Sequence, residues 1–224
     1  MARVNHLSGE SPNPTKKYLK WRSNDKSFTY YDKAQETEVT VSLPLKFVFL
    51  QHYHTVKGWH DSSGSAIFSN EVFQIGKEPM NVRAYKGGDL VSGIYKDIKG
   101  KANQLGGVYH RSIYVMLEDG TIANLSIKGA VVKEWSDFYD FSKNTIDNFW
   151  VEVNEAVDQK KGSVKYSTPK FSLGGNLDAK VIEAADNAAD RLTFHMNNYF
   201  NKNTDADESV SLDPRPVPSD DLAF

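Results

Sequence analysis

The chain of 224 residues has no cysteine. This excludes disulfides and zinc–thiolate centres and makes a reducing compartment the simple expectation. No apolar run approaches the roughly 18 residues of a membrane-spanning helix. Residues 1–20 lack the apolar region of a secretory leader, so the chain reads as a cytoplasmic protein. The phosphate-binding loop, the nucleophile elbow and the His-Glu-x-x-His helix are all missing, as is any repeat of fixed period. With no recognisable catalytic set, the expectation is a chain without a chemical step and without a cofactor. Charge of one sign is also scarce, since 27 basic residues nearly balance 29 acidic ones.

That balance hides a segregation. From Thr204 to Phe224 six carboxylates (Asp205, Asp207, Glu208, Asp213, Asp220, Asp221) face the single Arg215, and Pro214, Pro216 and Pro218 alternate with other residues. Such a segment buries too little apolar surface to offset its ordering entropy, so residues 204–224 read as a disordered acidic tail. Its last residues, Asp220, Asp221, Leu222, Ala223 and Phe224, change character. A carboxylate-rich tip that ends in an aromatic suits capture by a partner that offers basic side chains around an apolar pocket. With a net charge of −2 overall and −5 in the tail, residues 1–203 carry +3. A mildly basic body beside an acidic tail suits a body that binds a polyanion.

Residues 1–15 read as a flexible arm, and residues 16–203 as one domain with a sizeable core. The body is dominated by strand patterns. Two short strands around 18–22 and 28–33 flank a polar turn. Val39, Val41, Leu43, Leu45, Phe47 and Phe49 alternate with polar residues, with Pro44 marking an edge or a bulge. Residues 51–66 read as a polar loop. Further strands are expected at 67–75, 80–86, 90–98, 108–117 and 121–127, the last pair joined by the hairpin signal Asp119-Gly120. Val131, Val132, Trp135, Phe138 and Tyr139 recur at helical spacing and predict one short helix over 129–142. Residues 148–171 return to strands around a turn at Lys160-Lys161-Gly162. Val181, Ile182, Ala185, Ala189, Leu192 and Met196 predict a helix to about residue 200, with Asn176 or Asp178 at its cap. The sum is a mainly β fold, an oligonucleotide-binding-like small barrel with added strands, a short helix and a C-terminal helix.

Aromatic and basic residues interleave along the body. Lys20, Trp21 and Arg22 follow Tyr18; Tyr30 and Tyr31 precede Lys33; Arg83 precedes Tyr85 and Lys86; Tyr95 stands beside Lys96, and Tyr109 near Arg111. Trp59 stands in the glycine-bearing stretch 58–61. Single-stranded nucleic acid needs this combination, because bases stack on aromatic faces while cations follow the phosphates. These residues apart from Tyr18, fourteen in all, are the candidate contacts. Successive strand residues point to opposite faces, so only one member of each adjacent pair can serve the same surface. A competing reading uses His52, His54 and His60 as ligands of a zinc or iron ion in a metal-dependent enzyme. A phage structural or assembly protein is a third reading.

The segments Tyr18-Leu19-Lys20-Trp21, Phe28-Thr29-Tyr30-Tyr31-Asp32, Gly58-Trp59-His60-Asp61 and Ser69-Asn70-Glu71-Val72, with the tip at Asp220, Asp221 and Phe224, resemble the phage-type single-stranded DNA-binding proteins of the oligonucleotide-binding fold. The resemblance covers about residues 16–140 and the tail tip; residues 146–200 have no counterpart in it. It implies a protein that coats single-stranded DNA without strong sequence preference during phage DNA replication and recombination, in the host-cell cytoplasm. It further implies a tail that recruits replisome proteins such as a polymerase or helicase, with self-association open.

Overall fold

The computed structural model describes residues 13–202. Its described residues are mainly β, eleven strands and three α-helices in all. Strands β1 (Lys17–Arg22), β2 (Ser27–Asp32) and β3 (Thr37–Val41) form an antiparallel meander. The Asp32 carboxylate closes its second turn by accepting from the Ala34 and Gln35 amides. Next come β4 (Leu45–His60), β5 (Ser65–Ser69), β6 (Met80–Ala84) and β7 (Gly88–Gly93), then helix α1 (Tyr95–Gln104). Strands β8 (Gly107–Leu117) and β9 (Ile122–Lys128) form the hairpin written in Asp119-Gly120. There Asp119 accepts from the Thr121 amide and Gly120 takes φ 77°. Helix α2 (Ala130–Ser142), the long hairpin β10 (Phe149–Lys161)–β11 (Val164–Asn176) and helix α3 (Ala179–Lys202) complete the described chain. Asp178 caps α3 by accepting from the Lys180 and Val181 amides, which satisfies two otherwise orphaned donors.

All strands join one mixed sheet in the order β3-β2-β1-β9-β8-β4-β5-β6-β7, with β10 paired to β4 and β11 to β10. Only the β1·β9 ladder is parallel. The sheet is not closed, so the expected barrel is replaced by an open sheet that curls. Side-chain bonds, rather than a ladder, tie its β1–β2 side to β11. Trp21 Nε1 donates to the Ser167 carbonyl, and the Ser167 amide and hydroxyl bond Ser23. Inside the curl, Leu19, Trp21, Phe28, Phe47, Ile113, Leu125, Val151 and Phe171 pack around Trp135 of α2, which is fully buried.

Strand β4 is the spine. It pairs with β8 along nearly its whole length, with β10 at its start and with β5 at its end. The register slips between Phe49 and Gln51, so Leu50 is a bulge that exchanges the faces of all later residues. Before it, Phe47 and Phe49 face the main core. After it, His52, His54 and Val56 take that side, while Tyr53, Thr55, Lys57 and Trp59 take the other. On that other side α3 lies along β4. Leu177, Ala185 and Ala188 pack near Val48, Met116 and Ile122, and Leu192 and Met196 pack on Tyr53 and Tyr114.

Three segment expectations are corrected. Residues 51–66 are not a loop, because β4 runs to His60; its polar side chains are accommodated by a sheet face that is itself polar. The expected strand over 67–75 stops at Ser69, beyond which Val72 makes one bridge to His54. The expected strand over 90–98 ends at Gly93, whose φ of 147° turns the chain into α1, where Ile98 and Ala102 are the buried pair one turn apart. The alternation from Val39 to Phe49 breaks into β3 and β4 around a cis Leu43–Pro44 bond, at the proline that marked an interruption.

Candidate nucleic-acid interface

The strand registers sort the candidate residues by face, since directly opposed residues point the same way. Lys20 opposes Thr29 on one side and Ser126 on the other; Ser126 opposes Ser112, which opposes Tyr53. Lys128 opposes His110, His110 opposes Thr55, Lys57 opposes Phe68, and Phe68 opposes Arg83. With Tyr18 and Arg22 on β1 and Trp59 on β4, one face therefore carries a band of cations and aromatics across six strands. Helix α3 covers the part of this face around Met116 and Tyr114, and Lys57, His110 and Lys128 lie further along the strands, half-buried. Tyr18 is 44% exposed at the end of this band, its hydroxyl accepting from Asn13 Nδ2.

Within the band, Lys57 Nζ donates to Ser126 Oγ at 3.0 Å, and His110 Nδ1 lies 3.2 Å from the same oxygen. Burial, then the charges of Lys57, Lys128 and Lys20, hold His110 well below the usual imidazole range. Burial also pushes the Lys57 ammonium down, with Glu71 opposing and Lys20 adding to the effect. Two of the arginines are engaged with carboxylates. Arg22 Nη2 meets Glu38 at 2.6 Å and Arg83 Nε meets Asp89 at 2.8 Å. Burial works against the Glu38 charge, yet hydrogen bonds from Arg22 and Thr29 hold its carboxyl below the usual range. Such partly exposed pairs are worth at most about 1 kcal/mol, so either arginine can exchange its carboxylate for a phosphate cheaply.

Trp59 owes its position to a close crossing of backbones. A Cβ on Gly58 would come within 2.0 Å of the Gly106 carbonyl oxygen, to which the Trp59 amide donates at 3.3 Å. Only glycine permits this approach.

Other candidates lie elsewhere. Trp21 is a core residue, 8% exposed, edge-on to Phe28 at 5.0 Å; its ring does not face solvent, because β1 turns Leu19 and Trp21 inward and Lys20 outward. Tyr30 packs at the border of the same core, with Lys17 over its ring. Tyr31 shares the outer side with Lys20. Lys33 sits in the β2–β3 turn, Tyr85 and Lys86 in the β6–β7 turn, and Lys96 on the exposed side of α1.

Tyr109 and Arg111 belong to the opposite face, where Tyr109 meets Tyr95 of α1 and Arg111 reaches Ser136 of α2. Tyr95 and Tyr109 rings meet at 5.2 Å, His54 Nδ1 bonds the Tyr109 hydroxyl, and Arg111 Nη1 donates to Ser136 at 3.2 Å. His52 and His54 sit side by side there, each lowered to about 4, first by burial and then by Arg111. His60 does not join them and bonds Ser63 instead. Among the described residues no group of three or more His, Asp or Glu side chains is arranged to hold a metal ion, and no helix is long and apolar enough to cross a membrane.

Tyr18, Lys57, Phe68, His110, Ser126 and Lys128 are members of the band that pattern reading did not select. The available signal was parity. In Tyr109-His110-Arg111 the middle residue faces the opposite way from its neighbours, and Lys57 stood in a stretch read as loop. Asp220, Asp221, Leu222 and Phe224 lie outside the described residues. No family model matches the chain, and neither curated proteins nor solved structures yield a match.

Proposed function

We propose that this chain binds single-stranded DNA without strong sequence preference, as a phage-type coating protein of replication and recombination. The observation that carries the reading is the band formed by Lys20, Lys57, His110 and Lys128 with Tyr18, Trp59 and Phe68 on one sheet face. Cations spaced along a groove follow a phosphate backbone, and aromatic faces beside them accept bases of any identity. The curled mixed sheet is read as an elaborated oligonucleotide-binding arrangement, in which β10, β11 and α3 are additions to the strand set that carries the band. The acidic segment after α3 serves two roles in this reading. Its carboxylates compete with DNA for the cations, and its Leu222–Phe224 tip engages a replisome protein such as a polymerase or helicase.

Helix α3 supports the first role. Its Leu192 and Met196 lie on Tyr53 and Tyr114, and Tyr53 is two strand positions from Thr55, the partner of His110. The helix therefore runs toward the cationic end of the face before the acidic sequence begins. The deciding experiment is titration of the purified chain with oligo(dT) by intrinsic fluorescence at two salt concentrations. Saturable quenching that weakens steeply with salt supports the reading. Absence of any change in fluorescence or polarisation with single strands would overturn it.

A further inference from the structure

The centre of the cationic band has a feature that a simple row of lysines lacks. Lys57 from β4 and His110 from β8 both reach one hydroxyl, Ser126 Oγ on β9. A lysine ammonium only donates, so the hydroxyl accepts from Lys57 and its proton is available to His110 Nδ1. Around this trio Lys20 approaches from β1 and Lys128 from β9, and both, with Lys57, act on His110 as like charges. Two carboxylates act on this cluster: Glu71 on Lys57, while accepting a hydrogen bond from Tyr114, and Glu38 on Lys20. Ser112 Oγ, on the β8 partner of Ser126, is buried without a hydrogen-bond partner, as are both polar atoms of the Asn124 side chain, which lies two residues before Ser126 at Tyr114, where α3 covers the sheet. Ser112 and Asn124 are each 0% exposed.

Three cations facing a half-buried imidazole oppose its protonation until an anion arrives. Resting on the single-strand reading above, we infer that Lys57, His110 and Ser126 form a seat for one backbone phosphodiester, and that His110 takes up a proton from solvent as the phosphate enters. The empty seat holds a neutral imidazole, because burial and three ammonium groups oppose its charge. A phosphodiester monoanion reverses the local potential. The imidazole then gains a negative neighbour, and both ring nitrogens become donors, one to Ser126 and one toward the phosphate. Binding is thereby coupled to pH, with affinity rising as pH falls through the range in which the bound imidazole is protonated and the free one is not.

The test is a fluorescence-polarisation titration of the full chain with oligo(dT) between pH 6 and 8.5 at fixed ionic strength. The wild type is expected to bind more tightly as pH falls, by no more than about tenfold per pH unit for one coupled proton. His110→Gln is expected to bind more weakly at pH 6 and to show a flat profile, while His195→Gln on α3 keeps the wild-type slope. Nitrogen-detected NMR of the His110 ring in the wild type reads the same event directly, as neutral imidazole in the free chain and imidazolium with oligo(dT) bound. That measurement stands whether or not the variant folds. Binding with equal pH slopes in wild type and His110→Gln, or a ring that stays neutral when DNA is bound, overturns the proton-coupled seat and leaves the DNA-binding reading intact. No binding of oligo(dT) at any pH overturns both.

Discussion

Trp21 Nε1 donates to the Ser167 carbonyl at 2.9 Å, joining the first strand to the eleventh across 146 residues of sequence. The bond is buried, and it fastens the open sheet where no ladder does. Trp21→Phe keeps most of the packing but strands a buried carbonyl, so it should cost about 1–3 kcal/mol. Trp21→Ala also leaves a cavity and should cost about 3–5 kcal/mol. Urea denaturation measures both. Affinity of the folded Trp21→Phe chain for oligo(dT) should stay within twofold of wild type. A tenfold loss with an unchanged urea midpoint would return Trp21 to the binding surface.

Stacking should instead be carried by Trp59 and Tyr18. Replacing either with alanine should weaken binding by about 1–3 kcal/mol, with little change in stability for the exposed Tyr18. Trp59→Phe should remove most of the fluorescence quenching on DNA addition, since Trp21 and Trp135 are buried and Trp150 packs against the Val48–Met116 cluster with Lys46 over its ring, away from the band. Quenching that survives Trp59→Phe unchanged would place the strand on another face.

Much of the fold was legible, and the reasons differ by element. Asp119-Gly120 between two alternating apolar runs specified the β8–β9 hairpin, and the spacing from Val181 to Met196 specified α3. Helix α1 was hidden because its buried surface reduces to Ile98 and Ala102 in an otherwise polar segment. The second half of β4 was hidden because both its faces are occupied by polar or mixed side chains, from Gln51 to His60, so no alternation marks it. The site was half legible for a related reason. Aromatic–basic neighbours drew attention to strands that carry the proposed band, but adjacent residues diverge. Tyr109 turned to Tyr95 of α1 and Arg111 to Ser136 of α2, while His110, between them, joined the cations. The Leu50 bulge decides which side β4 presents, and nothing in composition announces a bulge.

Salt dependence separates the band from the turns. Changing Lys20, Lys57 and Lys128 together to glutamine should lower the slope of log affinity against log salt by about 2, each phosphate contact contributing roughly 0.7. The same triple change at Lys33, Lys86 and Lys96, in two turns and on α1, should leave the slope near wild type. If the second set lowers it and the first does not, the DNA path avoids the Ser126 face.

Stability should respond to His52 and His54. Their folded values of about 4 lie below the ordinary 6.5. Above pH 6.5 both folded and unfolded chains hold them neutral, and no penalty exists. As pH falls from 6.5 toward 4 the unfolded chain binds protons that the folded one refuses, so stability declines through that window and levels below it. Urea midpoints at pH 7.5 and pH 5 should therefore differ, and the difference should shrink in the double variant His52→Gln/His54→Gln. An equal difference in that variant would assign the acid sensitivity to other groups.

The acidic segment provides the last separation. Deleting residues 204–224 removes a net charge of −5 from the chain, and with it any competition for Lys20, Lys57 and Lys128. Binding to oligo(dT) should tighten at low salt, and the gain should shrink as salt rises, because screening at a Debye length of about 8–10 Å weakens the tail's attraction as well as the DNA's. Phe224→Ala removes no charge, so it should leave DNA affinity unchanged while weakening capture of a polymerase or helicase that holds the ring in an apolar pocket. Affinity titrations and pull-downs with the replication proteins of the same source read the two effects independently. Charge then governs self-competition and the terminal ring governs partner choice. A deletion that alters neither would reduce the segment to a solubilising extension, and the cationic face would have to be explained without its internal competitor.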